Sequence, residues 1–286
     1  MSTHVQLAPL IADSQPGRRS IAALLPAALI LALAAVAILA PTPHNPNTQF
    51  ADGLRSNGLP LGPSWRFLLG TDQLGRDELS RAIAGARVSL LVGTLGSLIA
   101  TAIGVAIGLV AGYSKRLTGT LLMRLTDVMM AFPYLLFAVA LQAVLGVGVR
   151  NLLIVVGALT WVNAARVMNG LALAESERTY VASLRVLGLS RGRILTRHLF
   201  PNLAGVALVL FTTGIGYTIL LESALSYLGL GVQPPTATWG NMVRDGQSYF
   251  QIAPWLTLVP GLVIVAAVTS LNLLGDQLYE LWEARR

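Results

Sequence analysis

The chain has 286 residues, of which 54% are hydrophobic and 12% charged, with a formal net charge of +7 and a mean hydropathy of +0.66. A soluble domain carries about 25% charged residues, so the deficit and the long apolar runs place the chain in the membrane class. Cysteine is absent, which excludes disulfides, thiolate metal sites and a cysteine nucleophile.

A membrane-spanning helix needs about 20 mostly apolar residues. Residues 1–20 read as a short polar tail ending in Arg18 and Arg19. The first apolar run, 21–40, predicts a transmembrane anchor helix. A cleaved signal peptide is the competing reading, but its apolar stretch is shorter, about 7–15 residues, and Pro41 directly after Ala40 suits a cleavage site poorly. Residues 41–87 are polar and rich in Pro, Gly and Asn, and predict a loop that ends in an amphipathic helix over 78–87. The remainder, 88–286, holds the other five spans.

The second span is predicted over 88–111. From Gly96 onward a small residue falls every fourth position: Gly96, Ala100, Gly104, Gly108 and Gly112. They share one helical face, which lets another helix approach closely. Flexible filler would not keep that period. Lys115, the single lysine, follows Gly112-Tyr113-Ser114, which is not the G-x-x-x-x-G-K-[ST] phosphate loop. Any ATP-driven work would therefore have to come from a partner. The third span, 121–145, contains Pro133, which predicts a kink. The fourth covers 151–173, with Asn163, Arg166 and Asn169 diluting its second half. A polar segment, 174–200, separates it from the fifth span, 203–225. An aromatic, proline-containing loop follows over 231–253, where Trp239, Tyr249 and Trp255 suit an interfacial belt. The sixth span is predicted over 256–274.

Six spans put both termini on one side. With the N-terminus inside, thirteen basic residues are cytoplasmic (Arg18, Arg19, Lys115, Arg116, Arg124, Arg166, Arg178, Arg185, Arg191, Arg193, Arg197, Arg285 and Arg286). Seven lie outside (Arg55, Arg66, Arg76, Arg81, Arg87, Arg150 and Arg244). The bias predicts cytoplasmic termini, although the five between 55 and 87 run against it. Basic residues spread over short loops in this way orient a membrane protein rather than bind nucleic acid.

The segment Tyr180-Val181-Ala182-Ser183-Leu184-Arg185-Val186-Leu187-Gly188-Leu189-Ser190-Arg191-Gly192-Arg193-Ile194-Leu195-Thr196-Arg197-His198-Leu199-Phe200-Pro201-Asn202 reads as a helix, a glycine break, a second basic helix, and a proline opening the next span. Val181, Leu184 and Leu187 recur at helical spacing, and such a stripe suits a partner's groove. A charged loop that only sets orientation is the plainer reading. Two acids also sit in spans, where acids default to functional candidates. Glu222 suits either a pathway or gate role or a structural hydrogen bond to a neighbouring helix end, and Asp127 suits pairing with Arg124 or Arg116.

The 180–202 segment resembles the cytoplasmic coupling loop of binding-protein-dependent ABC importer permeases, whose pattern is E-A-A, three residues, Gly, then Pro thirteen residues later. Gly188 and Pro201 keep that spacing, while Ala182, Ser183 and Leu184 stand at E-A-A. Three further segments resemble the dipeptide, oligopeptide and nickel branch of the family: Leu69-Gly70-Thr71-Asp72-Gln73-Leu74-Gly75-Arg76-Asp77 with Gly85-Ala86-Arg87-Val88-Ser89-Leu90; Glu222-Ser223-Ala224-Leu225-Ser226-Tyr227-Leu228-Gly229-Leu230-Gly231 with Pro234-Pro235 and Trp239-Gly240; and Asn272-Leu273-Leu274-Gly275-Asp276.

The resemblance implies an all-α membrane protein of type I ABC importer permease architecture in a bacterial inner membrane. It implies a second, usually non-identical permease, two cytoplasmic ATPases that hold ATP and magnesium and dock on the coupling loop 174–200, and an extracytoplasmic binding protein. It also implies that this chain, surrounded by membrane lipid, binds no cofactor of its own. Peptides are the first solute class, with nickel or another small solute as the alternative within the family. An ion-coupled secondary transporter would need midplane carboxylates and often an internal repeat, and neither is evident. A membrane enzyme would need clustered ligands or bases, yet there is no H-E-x-x-H, and the three histidines, His4, His44 and His198, lie far apart.

Overall fold

The computed structural model describes residues 28–30, 32, 35, 39–114 and 117–283. The expected anchor helix over 21–40 lies mostly outside the described residues, and the 1–20 tail wholly so. Of the anchor, Ile30 packs against a core that includes Ile215, Ile219 and Trp239.

Residues 41–77 form an irregular cap. His44, Phe50 and Phe67 stack on one another with ring centroids 5.1–5.6 Å apart. Helix α1, Glu78–Tyr113, begins under this cap because the Asp77 side chain accepts a hydrogen bond from the Ser80 amide at 3.1 Å. The sequence predicts a separate helix over 78–87 and a span from 88. Instead one helix of 36 residues runs through both, about 54 Å long. Its first turns are not amphipathic against water: Glu78, Ser80 and Arg81 are buried. Arg76 and Arg81 share Asp72, at 2.6 and 3.2 Å, and both come within 4 Å of Asp245. This ion cluster pins the cap to α1 and to α8.

Helices α2, Leu117–Ala131, and α3, Tyr134–Leu145, replace the single kinked span predicted over 121–145. They meet at 89° across Phe132 and Pro133. Proline cannot donate the hydrogen bond that would carry the helix through, and here the result is a break rather than a kink. Helix α4, Val149–Ser176, packs along α1. A short α5, Thr179–Val186, and α6, Arg191–Ile194, follow, then a π-helical turn, Leu195–Leu199, and α7, Phe200–Tyr227. Helix α8, Trp239–Gln247, opens on a reciprocal cap between Thr238 and Asn241. Helix α9, Trp255–Glu283, carries Pro260 near its start.

Among the described residues, α1, α4, α6–α7 and α9 are long and apolar enough to cross a membrane, and the broken pair α2–α3 supplies a fifth crossing if it counts as one span. With the anchor this is compatible with the six expected. The chain is thus a multi-pass membrane protein in which α1 lies between α4 and α7, and α9 packs on α7. The small-residue face of α1 is used as its period predicts. Gly96, Ala100, Gly104, Gly108 and Gly112 are all buried, and the last three press on the α4 backbone between Trp161 and Leu173. Trp239, expected in an interfacial belt, is instead fully buried and donates its indole N–H to the Ala82 carbonyl at 3.2 Å. Tyr249 and Trp255 are half-buried.

Candidate functional site

The candidate site is the connection between α4 and α7, at the end of the bundle remote from the cap. Helix α5 ends on Gly188 in a left-handed conformation, φ +75°. The Gly188 amide donates to the Arg185 carbonyl at 3.1 Å and the Leu189 amide to the Leu184 carbonyl at 3.2 Å, the paired bonds of a Schellman stop. The glycine break is therefore real. The second basic helix is not separate: α6 runs through the π turn into α7. Pro201, in the first turn of α7, has no N–H to continue the regular ladder, and the helix widens just before it.

Two of the three stripe residues of α5, Val181 and Leu184, face the chain's own bundle rather than a partner, and Leu187 alone stands exposed. Val181 is fully buried against Tyr113, Ile194 and Leu199, and Tyr180, Leu184 and Leu189 pack on the same cluster. The stripe fastens α5 to its own bundle, because the end of α1 and the α6–α7 junction leave an apolar floor there. What α5 presents outward is its other edge and its end. Ala182, Ser183 and Arg185 are exposed, with Val186 88% and Leu187 74% exposed. Ser190, Arg191 and Arg197 are exposed beside them, while Ile194 is buried. An acid in place of Ala182 would meet only solvent.

A polar network that sequence reasoning missed holds this segment. Glu175, nearly buried, accepts from the Tyr180 hydroxyl at 2.8 Å, the Asn202 amide at 3.1 Å and the Arg178 guanidinium at 2.9 Å. It ties the end of α4, α5 and the start of α7 to one carboxylate. Burial and the hydrogen bond to Glu175 both push the Tyr180 hydroxyl up from its ordinary range, so it stays a donor. Arg185 lies over the Tyr113 ring, 4.9 Å from its centroid, and donates to the Ser176 carbonyl at 3.3 Å. The only signal available beforehand was an acid five residues ahead of Tyr180. Gly188 to Gly192 also spells the G-x-S-x-G of a nucleophile elbow, but that motif follows a strand, and here α5 precedes it.

Glu222 lies far from this connection, towards the cap. It is fully buried and accepts from the hydroxyls of Ser226 at 2.6 Å and Ser89 at 3.2 Å. Ser89 in turn accepts from the Trp239 amide. The carboxylate thus joins α1, α7 and the start of α8, which is the geometry of a fastener. Glu222→Ala would leave these buried donors without an acceptor, at about 1–3 kcal/mol. Denaturant unfolding of the purified protein should register that loss, and Glu222→Gln, which keeps an acceptor oxygen, should lose less than half as much. Equal losses would contradict the hydrogen-bonding role.

Asp127 pairs across helices with Arg166 and more loosely, at 3.8 Å, with Arg124. Arg116 lies outside the described residues. Among the described residues no three His, Asp or Glu side chains gather as a metal site.

Residues 104–286 match the model of the family described as binding-protein-dependent transport system inner membrane component. The chain is 41% identical over 250 residues to the di/tripeptide transport system permease protein DppC of Pseudomonas aeruginosa, covering 85% of this chain and 81% of that one. It is 38% identical over 259 residues to a putative peptide transport system permease of Brucella suis, covering 90% and 86%. It is 39% identical over 217 residues to the glutathione transport system permease protein GsiD of Pectobacterium atrosepticum, covering 76% and 72%. With its spans, its proline-opened α7 and a Schellman turn where the coupling pattern places glycine, the chain belongs to the family of binding-protein-dependent transport inner membrane components, the permease subunits of ABC importers.

Proposed function

We propose that this chain is one of two permease subunits that form the pore of an ATP-driven importer for di- and oligopeptides, set in a bacterial inner membrane with both termini cytoplasmic. A homologous second permease completes the pore. Two ATPases, which hold ATP and magnesium, dock on residues 174–200, and an extracytoplasmic binding protein delivers the peptide to the cap side. ATP-driven closure of the ATPases moves α5 and switches the pore between inward- and outward-facing states, a bistable element biased by a ligand.

The observation that carries the reading is the exposed end of α5. Val186 and Leu187 stand out beyond the bundle, just before the Gly188 turn, while the rest of the helix is riveted to α1 and α7. A push on that end therefore reaches two spans at once. Peptides come first because the relatives named above are peptide and glutathione permeases. The orientation rests on the basic residues assigned to the α5 side, eleven against seven once Arg124 and Arg166, which lie inside α2 and α4, are set aside. On the cap side Arg76 and Arg81 are locked into the buried ion cluster, and Arg66 pairs with Asp52.

Asn57 and Gly192 are both exposed, at opposite ends of the bundle in a chain without cysteine. In cells whose outer barrier is permeabilised, an impermeant thiol reagent should label Asn57→Cys and leave Gly192→Cys unlabelled until the inner membrane is opened. The reverse pattern would invert the topology and with it the docking side. Affinity purification of the chain from its native membrane should also bring down two ATPases, and a chain purified alone at full transport activity would contradict the assignment.

A further inference from the structure

Helix α4, long and apolar enough to cross a membrane, carries polar groups in its second half. It has 28 residues, about 42 Å. Asn163 stands at its midpoint, and Arg166 is about 4.5 Å further along. Asn163 is exposed on this chain's surface, and so are Arg166, at 53%, and its partner Asp127 on α2, at 45%. Arg124, one helical turn before Asp127, is 77% exposed and 3.8 Å from the same carboxylate. Charges on a spanning helix are expelled from hydrocarbon, so such a cluster faces either a water-filled passage or another protein.

Three features favour the passage. A cavity of about 440 Å³ opens beside the cluster, lined by Gly112, Thr120, Arg124, Asp127 and Asn169. That is within the 300–1,000 Å³ typical of small-molecule sites. Gly170, next in sequence to the lining residue Asn169, stands on open space. The charges also do not cancel, because two guanidiniums face one carboxylate. A guanidinium has five N–H donors, and the pair with Asp127 occupies one of those on Arg166. A partner surface without an acid would leave that surplus charge buried and unmatched. The terminal carboxylate that every short peptide carries, whatever its side chains, matches the guanidinium left over. Guanidiniums are the side chains best shaped to take a carboxylate by two parallel hydrogen bonds.

We infer that Arg166 and Arg124 line the solute passage and take the terminal carboxylate of a peptide in transit, with Asp127 as the counterpart for its ammonium group. The inference rests on the peptide reading above. It needs no contact specific to a peptide's sequence, which suits a pore whose selectivity is set by the binding protein upstream.

The test uses the complete complex of both permeases, both ATPases and binding protein in lipid vesicles. Asn163→Cys and Arg166→Cys are probed with a charged, water-soluble methanethiosulfonate, and Val156→Cys, fully buried in this chain, sets the background. Labelling at 163 and 166 should exceed that background at least ten-fold, and millimolar dialanine should slow it at least three-fold at 163, where both guanidiniums are retained. Arg166→Gln should cut uptake of labelled dialanine at least ten-fold at unchanged complex yield, with only part of it recovered in Arg166→Lys, which keeps the charge but not the paired donors. Background labelling at both positions would overturn the inference, because the face would then be sealed against a partner. Full dialanine uptake by Arg166→Gln would overturn it too. Labelling at 163 requires no solute, so it decides whether the passage runs here even if the complex carries nickel chelates and the peptide reading fails.

Discussion

Gly108→Leu, alone or with Gly104→Leu, is expected to prevent the permease from assembling. A Cβ built on Gly108 stands 2.5 Å from the Ala165 carbonyl oxygen, 2.7 Å from Met168 Cβ and 2.9 Å from the Asn169 nitrogen. On Gly104 it meets the Trp161 carbonyl, and lies 2.6 Å from Ala164 Cβ and 2.9 Å from the Ala165 nitrogen. These neighbours are backbone or Cβ atoms of a long helix, so no rotamer change relieves the clash, and α1 and α4 have to separate. Overpacking of a good core costs about 1–3 kcal/mol. Here even one carbon overlaps the facing helix, so leucine should exceed that range. The separation would propagate along α1 and α4, the most extensively packed helix pair among the described residues. Membrane-inserted complex, measured by yield of the four-subunit assembly after purification, should fall at least ten-fold. Gly170→Leu is the matched control, because a Cβ there meets nothing within 4 Å. Normal yield from Gly108→Leu would remove the close-packed seam from this account.

Gly188→Val acts differently. Nothing lies within 4 Å of a Cβ at this position, so there is no clash to disrupt assembly. The cost lies in the backbone alone. At φ +75° a β-branched residue is strained by about 1–3 kcal/mol, and the turn relaxes by giving up its Schellman bonds. That swings Val186 and Leu187, the exposed end of α5, away from their position. The complex should form at normal yield, yet lose at least ten-fold of the ATP hydrolysis that loaded binding protein stimulates. Gly188→Asn, which tolerates the left-handed region, should keep most of it. Ala182→Glu, on an exposed position, should be tolerated. Full stimulation in Gly188→Val would show that the ATPase motion does not pass through this turn.

These two glycines were legible in the sequence for different reasons. The four-residue period marks a close-packed face wherever its partner lies, and a glycine between two helical patterns marks a stop. What sequence could not supply were contacts closed by distant segments. Glu78 and Arg81 look like the wet end of a span, yet the cap and Asp245, more than 160 residues away, bury them and extend α1. Trp239 has the composition of a belt residue, but its indole finds the Ala82 carbonyl inside the fold. The stripe of Val181 and Leu184 was visible as an apolar face, and periodicity alone does not say whether such a face meets a partner or its own bundle. Glu175 was missed because a buried carboxylate shared by three helix ends has no local signature. Pro133 predicted a kink, and the right-angle break that followed depends on how α3 packs on α4.

The most direct test reconstitutes the chain with the second permease, the two ATPases and the binding protein, and follows ATP hydrolysis together with entry of a labelled dipeptide into vesicles. The account predicts that peptide-loaded binding protein raises hydrolysis several-fold over empty binding protein, and that dipeptide accumulates only with ATP on the α5 side. Dipeptide accumulation driven by an ion gradient with the ATPases removed, or hydrolysis indifferent to the loaded binding protein, would contradict it.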